Sequence, residues 1–312
     1  MPSLVTHYIF GKQVEKNIDK KYIDKNIYSL FNQSHDYLFF SSKKEFKELA
    51  KKGHHKNTKD FIINIIKYIK DNHLEEDKPT ISYLYGIINH YVLDSTCHPY
   101  IFYLSGSYHK EEKDTKKYNG MHSKIEKSLD KIIYEKYYNK KFNKLNLGKD
   151  IMCKEDLSSL KGIIDSVYYE TYKVKNTYKE YHKCYKKMRS FNRFIVIDRL
   201  GIKNRLYSLV DLITCNHFGV LSCYSTSLKV NKDIMNYNHN IWKHPVTGKE
   251  NDTSFMDLFN DSINKSVNII NKVNEVLYNN KPIKSLDSVI KNIDYSTGLE
   301  IKDNKRMIYF SF

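Results

Sequence analysis

The chain has 312 residues, of which 40% are hydrophobic and 28% are charged, and its formal net charge is +16. This length can bury one large core, and the composition is that of a folded globular protein. No run of eighteen apolar residues occurs, which argues against a membrane-spanning helix. The excess of basic residues favours anionic partners such as phosphate esters, acidic lipid surfaces or nucleic acid, although a biased amino-acid usage rich in Lys, Asn, Ile and Tyr also raises it.

The N-terminal segment and the cysteines bear on the compartment. Residues 1–19 contain no long apolar stretch, so we expect no secretory signal peptide. The five cysteines form no Cys-x-x-Cys motif, and their odd number predicts free thiols in a reducing environment. We therefore expect a cytoplasmic protein, with peripheral contact to an anionic membrane surface as one option.

Apolar spacing predicts helices along nearly the whole chain. The predicted helices cover residues 3–16, 23–31, 43–52, 58–69, 79–98, 121–138, 154–172, 177–200, 205–215 and 254–278. Between residues 105 and 120 a polar Lys/Glu-rich loop is expected. From about residue 285 the pattern allows a short strand or an irregular arm. No repeat or linker is visible, so the sequence predicts a single all-α domain over 1–312, built as a multi-helix bundle.

Three local signals set helix boundaries. Ser42 and Glu45 have the spacing of a capping box and predict a helix that runs to about residue 52. Pro79 lies where a first helical turn should begin. Pro99 disfavours helical geometry at His98, so we expect that helix to end or kink there.

Eight candidate metal ligands stand out, all within the first 126 residues: His7, Asp36, His54, His90, Asp94, His98, His122 and Glu126. Two pairs among them, His90 with Asp94 and His122 with Glu126, are four residues apart. Such residues lie on one face of a helix, so each pair can contact one ion. Imidazole and carboxylate together are typical zinc ligands.

The segments Thr6-His7-Tyr8, His90 to Pro99 and His122-Ser123-Lys124-Ile125-Glu126 resemble motifs of the bacterial zinc-dependent phospholipase C family. That family is related in fold to the single-strand-specific zinc nucleases. The resemblance implies an all-α fold, two to three Zn²⁺ ions, and hydrolysis of a phospholipid head-group phosphodiester by metal-activated water.

The resemblance also implies a distribution of ligands. One zinc would be held by Asp36, His54, His90 and Asp94, a second by His98, His122 and Glu126, and a third by His7 and the other oxygen of a bridging Asp94. Asp36 would in addition act as general base. His55 is an alternative to His54 as the ligand of the first zinc. In secreted members the mature N-terminal amine binds the third metal, and removal of Met1 would here leave Pro2 to do so.

Two aromatic residues, Tyr37 and Trp242, are candidates to line a pocket for a choline-like cation through cation–π contacts, although simple packing is the more common role in a chain with 14% aromatic residues. Two other readings stay open. The first is a zinc nuclease or nucleotide phosphatase, which would place aromatic platforms for bases beside the metals, where a phospholipase would have an apolar entrance. The second is a non-catalytic metal-binding protein of the same fold.

Overall fold

The structure is a computed structural model that describes residues 4–215, 225–227, 229 and 231–311, and for Lys232 it describes the backbone alone. Its α-helices are α1 (Leu4–Glu15), α2 (Lys25–Phe31), α3 (Lys44–His55), α4 (Thr58–Asp71), α5 (Lys78–Ser105), α6 (Met121–Tyr138), α7 (Lys161–Tyr172), α8 (Thr177–Phe191), α9 (Ile202–Ile213) and α10 (Phe255–Tyr278). The predicted all-α fold class is confirmed.

Short turns of other types connect these helices. The 3₁₀ turns are Ser34–Phe40, Lys113–Tyr118, Phe142–Lys144, Ser158–Leu160, Lys232–Met235, Ile283–Ser288 and Ile301–Asp303, and the π turns are Leu147–Ile151 and Asn192–Val196. Two antiparallel strands, β1 (Trp242–Lys243) and β2 (Glu250–Asn251), form a small hairpin that the sequence did not predict.

Helix α5 is the central element, and α1, α2, α4, α6 and α10 all pack against it. It begins where predicted, since Asp77 accepts a hydrogen bond from the backbone N–H of Thr80 at 3.0 Å and Pro79 occupies its first turn. Every residue from Thr80 to Asp94 is buried. A helix that is buried on all sides belongs to the core, so the ligand candidates on it have fixed positions.

Of the two outcomes expected at His98, an end or a kink of the helix, the end was wrong, because α5 continues through Pro99 to Ser105. Pro99 has no N–H to donate to the carbonyl of Ser95, one turn earlier. Gly298 packs against that carbonyl so closely that a Cβ there would lie 2.4 Å from the oxygen. Burial of the following residues Tyr100 and Ile101 offsets the lost hydrogen bond. As a result, His98 stays on the same helix as the other ligand candidates.

Other helix boundaries were predicted with mixed success. The capping box at Ser42 was wrong: α3 begins after Lys43, and no side chain caps it. Ser41 instead accepts a hydrogen bond from the N–H of Lys43 at 3.0 Å. A true capping box occurs at the start of α10, where Ser254 and Asp257 each accept from the backbone of the other.

Two helices are shorter than predicted. Helix α8 ends at Phe191 and passes into a π turn, so it does not reach residue 200, and α7 begins at Lys161 after a 3₁₀ turn. The segment after residue 285 is irregular, with a 3₁₀ turn and an isolated bridge between Ile293 and Glu300. We call residues 290–304 the C-terminal arm. It lies against α3 and α5, next to the candidate site.

Candidate metal centre

Five elements bring the eight predicted ligands together. The deep group consists of His7 on α1, Asp36 in the 3₁₀ turn, His54 on α3, and His90 and Asp94 on α5; all five are buried. The outer group consists of His98, seven residues before the end of α5, together with His122 and Glu126 on α6. Glu126 is buried, while His98 and His122 are partly exposed.

The deep group is compact. The Nε2 atom of His54 lies 3.1 Å from Oδ1 of Asp36 and 3.2 Å from Nε2 of His90. Nε2 of His7 lies 3.0 Å from Oδ1 of Asp94, and Nε2 of His90 lies 3.3 Å from the other oxygen of Asp94. Two overlapping sets have all their ligand atoms within 4.8 Å of one another: His7, Asp36 and His90, and His54, His90 and Asp94.

The outer group is a third set of this kind. Oε1 of Glu126 lies 3.3 Å from Nε2 of both His98 and His122. The contact with His122 is the one that the four-residue spacing on α6 predicted. Asp94 connects the two groups, because its Oδ2 atom lies 3.7 Å from Nδ1 of His98. One carboxylate therefore reaches side chains of both groups.

Backbone carbonyls orient three of the imidazoles. Nδ1 of His54 lies 2.7 Å from the carbonyl of Ala50, and Nδ1 of His90 lies 3.0 Å from that of Asn32. A carbonyl can only accept, so each Nδ1 carries the proton and Nε2 presents a lone pair to the centre of the group. His98 is held in the same way by the carbonyl of Tyr295 at 3.2 Å.

Buried carboxylate oxygens without hydrogen-bond partners point to cations. Oδ2 of Asp36, Oδ2 of Asp94 and Oε2 of Glu126 make no hydrogen bond. Leaving a buried charged oxygen unpaired is costly, and metal coordination removes that cost. A set of neutral imidazoles and carboxylates fits Zn²⁺. The residues present therefore suit the metal that the sequence implied.

The pKa values of the histidines differ between the two groups. Burial lowers the pKa of His90 to about 4, so this imidazole is neutral at pH 7. Burial also acts to lower the pKa of His98, but the carboxylates of Asp94 and Glu126 outweigh it and raise that pKa to about 9. Burial would raise the pKa of Asp94, yet the surrounding histidines hold it well below its ordinary value.

The C-terminal arm supports both groups, which sequence reasoning missed. The N–H of Tyr295 donates to the carbonyl of His54 at 2.9 Å, and its carbonyl accepts from His98. Its ring packs against His54 and His90 at centroid distances of 5.3 and 5.7 Å. His55 points to the arm instead of the centre, with Nδ1 2.8 Å from Asp294. Of the two neighbouring histidines, the structure places His54 in the deep group.

The structure contradicts the substrate-binding role predicted for Tyr37, because this residue lies in the core. Its ring is fully buried between Tyr181 and Tyr185, and its hydroxyl donates to the carbonyl of Leu30. No face of this ring is open to a ligand. The reason is the aromatic richness of the chain, which fills core positions with tyrosine.

Trp242 is nearly buried as well, with its indole N–H donating to the carbonyl of Thr253 and its ring against Tyr100. It borders a cavity of about 590 Å³ that also contacts His244, but none of the eight predicted ligands lines that cavity. The structure thus brings all eight ligand candidates together and neither of the two substrate candidates.

Phenylalanines lie beside both groups. The ring of Phe39 is 5.7 Å from that of His54, and the ring of Phe102 is 4.5 Å from that of His122. Both phenylalanines are partly exposed. They are accessible apolar surface next to the ligand set, and neither was singled out from the sequence.

A family model described as zinc dependent phospholipase C matches residues 6–195, more than half of the chain. The match includes all eight predicted ligands and ends before the C-terminal arm. No curated protein and no solved structure matches the chain. Among the described residues, no helix has the length and apolar character needed to cross a bilayer. Pro2, considered above as a source of the third-metal amine, lies outside the described residues.

Proposed function

We propose that this chain, which belongs to the zinc dependent phospholipase C family, hydrolyses a phospholipid head-group phosphodiester with water activated by two to three Zn²⁺ ions. The observation that carries this proposal is the joining of three metal-competent sets of side chains around Asp94. A phosphodiester is surrounded by negative oxygens, and adjacent divalent ions both acidify water and neutralise the charge that develops on the phosphoryl group.

The deep and outer groups would hold the metals in this proposal. In the deep group, His54 and His90 offer preset Nε2 lone pairs, and Asp94 offers one oxygen to His7 and the other toward His98. In the outer group, Glu126 faces two imidazoles. Neutral imidazoles add no charge, while the shared carboxylate lowers the repulsion between neighbouring cations.

Asp36 is the proposed general base. One of its oxygens faces His54 at 3.1 Å, and the other, Oδ2, is buried without a hydrogen-bond partner. An oxygen held in this way can accept the proton of an attacking water, while the first oxygen keeps the side chain in position. These contacts support the two roles proposed for Asp36, metal ligand and proton acceptor.

The apolar surface near the ligands favours a lipid over a nucleic acid. Phe39 and Phe102 lie beside the deep and outer groups, and the ring of Phe40 packs 5.5 Å from that of Phe191. Such an entrance suits the glycerol and acyl part of a phospholipid. Phenylalanine rings also stack on bases, so nuclease activity is the alternative that the experiment must separate.

The deciding experiment compares turnover of zinc-loaded protein on a short-chain phosphatidylcholine, a short-chain phosphatidylethanolamine, single-stranded DNA and a mononucleotide. We expect release of phosphorylated head group from a lipid, its loss on chelation and its loss in Asp36→Asn. Faster cleavage of DNA would favour the nuclease alternative. Less than about one bound zinc after loading, with no turnover of any substrate, would contradict the metalloenzyme.

A further inference from the structure

Residues 194–213 expose an unusual amount of apolar surface. Helix α9 has Ile202, Leu206, Leu209 and Ile213 at spacings of four, three and four, which place them on one face. That face points to solvent, and Asp211 is the only buried residue of the helix. We define the docking face by Phe194, Leu200, Ile202, Leu206, Leu209 and Ile213, whose exposed fractions lie between 52% and 83%.

The exposed charged residues within residues 193–213 have one sign. Arg193, Arg199 and Arg205 are exposed, and the guanidinium of Arg193 lies 5.2 Å from the ring centre of Phe194. The two acidic residues of the same stretch, Asp198 and Asp211, are both buried. Asp198 turns inward because its carboxylate accepts a hydrogen bond from the N–H of Asn204 at 2.7 Å. The face therefore presents apolar and basic groups without an exposed acid.

The residues just before the docking face contact the turn that carries Asp36. Phe191, three residues before Phe194, packs against Phe40 at 5.5 Å, and the neighbouring Phe39 packs against His54. The 3₁₀ turn that carries these phenylalanines also carries Asp36. The contact between Phe191 and Phe40 thus joins the end of α8, just before the docking face, to the turn that carries Asp36.

We propose that the docking face binds the surface of an anionic phospholipid bilayer. An exposed helix with leucine and isoleucine on one side and basic residues along its border is the pattern of interfacial membrane binding. Cationic residues are attracted to anionic lipid head groups, and the net charge of +16 acts in the same direction. A second copy of the chain is a poorer occupant, because its arginines would meet those of the first.

This inference rests on the proposed function and identifies the surface through which the enzyme reaches its substrate. Its test measures sedimentation with two vesicle types, phosphatidylcholine alone and phosphatidylcholine with phosphatidylglycerol. In parallel, hydrolysis of a water-soluble short-chain phospholipid reports the active site without a bilayer. The variant Ile202→Glu/Leu209→Glu changes the face, and Ile241→Glu is the control, since Ile202 and Ile241 are both 65% exposed.

We expect the wild type to bind the anionic vesicles more tightly than the neutral ones, and less tightly at high salt. The double variant should bind at least about tenfold more weakly, because two apolar side chains no longer enter the interface. Ile241→Glu should bind as the wild type does. Both variants should hydrolyse the soluble lipid at the wild-type rate.

Equal vesicle binding by the wild type and the double variant would overturn the docking face, as would a wild type that binds no vesicles. A wild-type dimer in solution that the double variant converts to a monomer would also overturn it, and would assign the face to self-association. Vesicle binding without hydrolysis of any phospholipid would leave the docking face in place and reject the proposed function.

Discussion

The deep and outer groups use the same ligand chemistry in different surroundings. The deep group has five buried ligands from four elements, and two of its imidazoles are fixed by backbone carbonyls. The outer group has three ligands from two helices. The side chain of His122 is 29% exposed, and its Nδ1 atom has no hydrogen-bond partner. Burial makes His90 a weak base, whereas His98 between two carboxylates is a strong one.

The two groups therefore differ in how much solvent reaches their ligands. In the deep group, backbone carbonyls set the tautomers of His54 and His90 before any metal binds. In the outer group solvent reaches the imidazoles, and metal binding must displace a proton from His98 at neutral pH. Solvent therefore reaches the outer group more easily than the deep group, and Asp94 lies between the two.

The largest effect is expected from Asp94→Asn, which would break the connection between the groups. Asp94 faces His7, His90 and His98, so loss of its charge should weaken metal binding at both ends. We expect turnover to fall by more than about 100-fold and bound zinc to fall by more than one equivalent. Elemental analysis and hydrolysis of a soluble short-chain lipid measure the two quantities.

The matched control is Asp198→Asn. Asp198 is as buried as Asp94, at 3%, but it belongs to the segment before α9 and not to the ligand set. Its zinc content and turnover of soluble lipid should stay close to the wild type. If Asp94→Asn lost metal from one end alone, the two groups would be independent sites.

Smaller effects are expected from replacing one histidine in each group, and these effects should differ between the outer and the deep group. His122→Gln should remove the outer metal and reduce turnover about tenfold, with little change in melting temperature, because its ring is already in contact with water. His90→Gln should also destabilise the protein by roughly 1–3 kcal/mol, since it leaves the carbonyl of Asn32 and its buried partners unsatisfied. Equal melting temperatures for the two variants would erase the distinction.

The sequence predicted the ligands better than it predicted their surroundings. The pairs at His90 and His122 follow from helical spacing, and the structure places each imidazole near its carboxylate partner. Pro99 misled the prediction because a local preference was overridden by packing of the helix core. The prediction for Tyr37 was wrong because the sequence does not show whether an aromatic side chain packs in the core or lines a pocket.

The C-terminal arm was beyond sequence reasoning for another reason. Tyr295 holds His54 and His98 through its backbone N–H and C=O, which every residue except proline possesses. Such contacts leave no side-chain signature and join positions far apart in the chain. The docking face was missed as well, because a spacing that shows a helical apolar face does not show whether that face is covered.

The third prediction concerns pH and the metal-free protein. His98 has a pKa of about 9 in the folded chain, above that of an unfolded histidine near 6.5. Its contribution to stability is therefore complete below about pH 6.5 and is lost as pH rises through about 9. His90 acts in the opposite direction, because its pKa of about 4 removes stability as pH falls below about 6.5.

Denaturant unfolding of the chelated protein at pH 5, 7 and 9.5 should show lower stability at both extremes, by on the order of 1 kcal/mol each. Glu126→Gln removes one of the carboxylates that raise the pKa of His98, so it should reduce the alkaline loss and leave the acid loss unchanged. A variant profile identical to the wild type would show that the outer histidine does not determine the alkaline side.

The smallest effect is expected from the arm, which touches the ligands only through Tyr295. Asp294 holds this turn together by accepting from the N–H groups of Ser296 and Thr297 and from His55. Asp294→Ala should loosen the carbonyl that orients His98 and weaken outer-site zinc binding about threefold, less than direct loss of an orienting partner causes. Competition with a zinc chelator measures this, and Asp303→Ala, an exposed acid of the same arm, is the control. Tyr295 also contacts His54, but the carbonyl of Ala50 fixes the tautomer of His54 independently, so the deep metal should stay bound. Loss of the deep metal would mean that the arm, and not α3, positions His54.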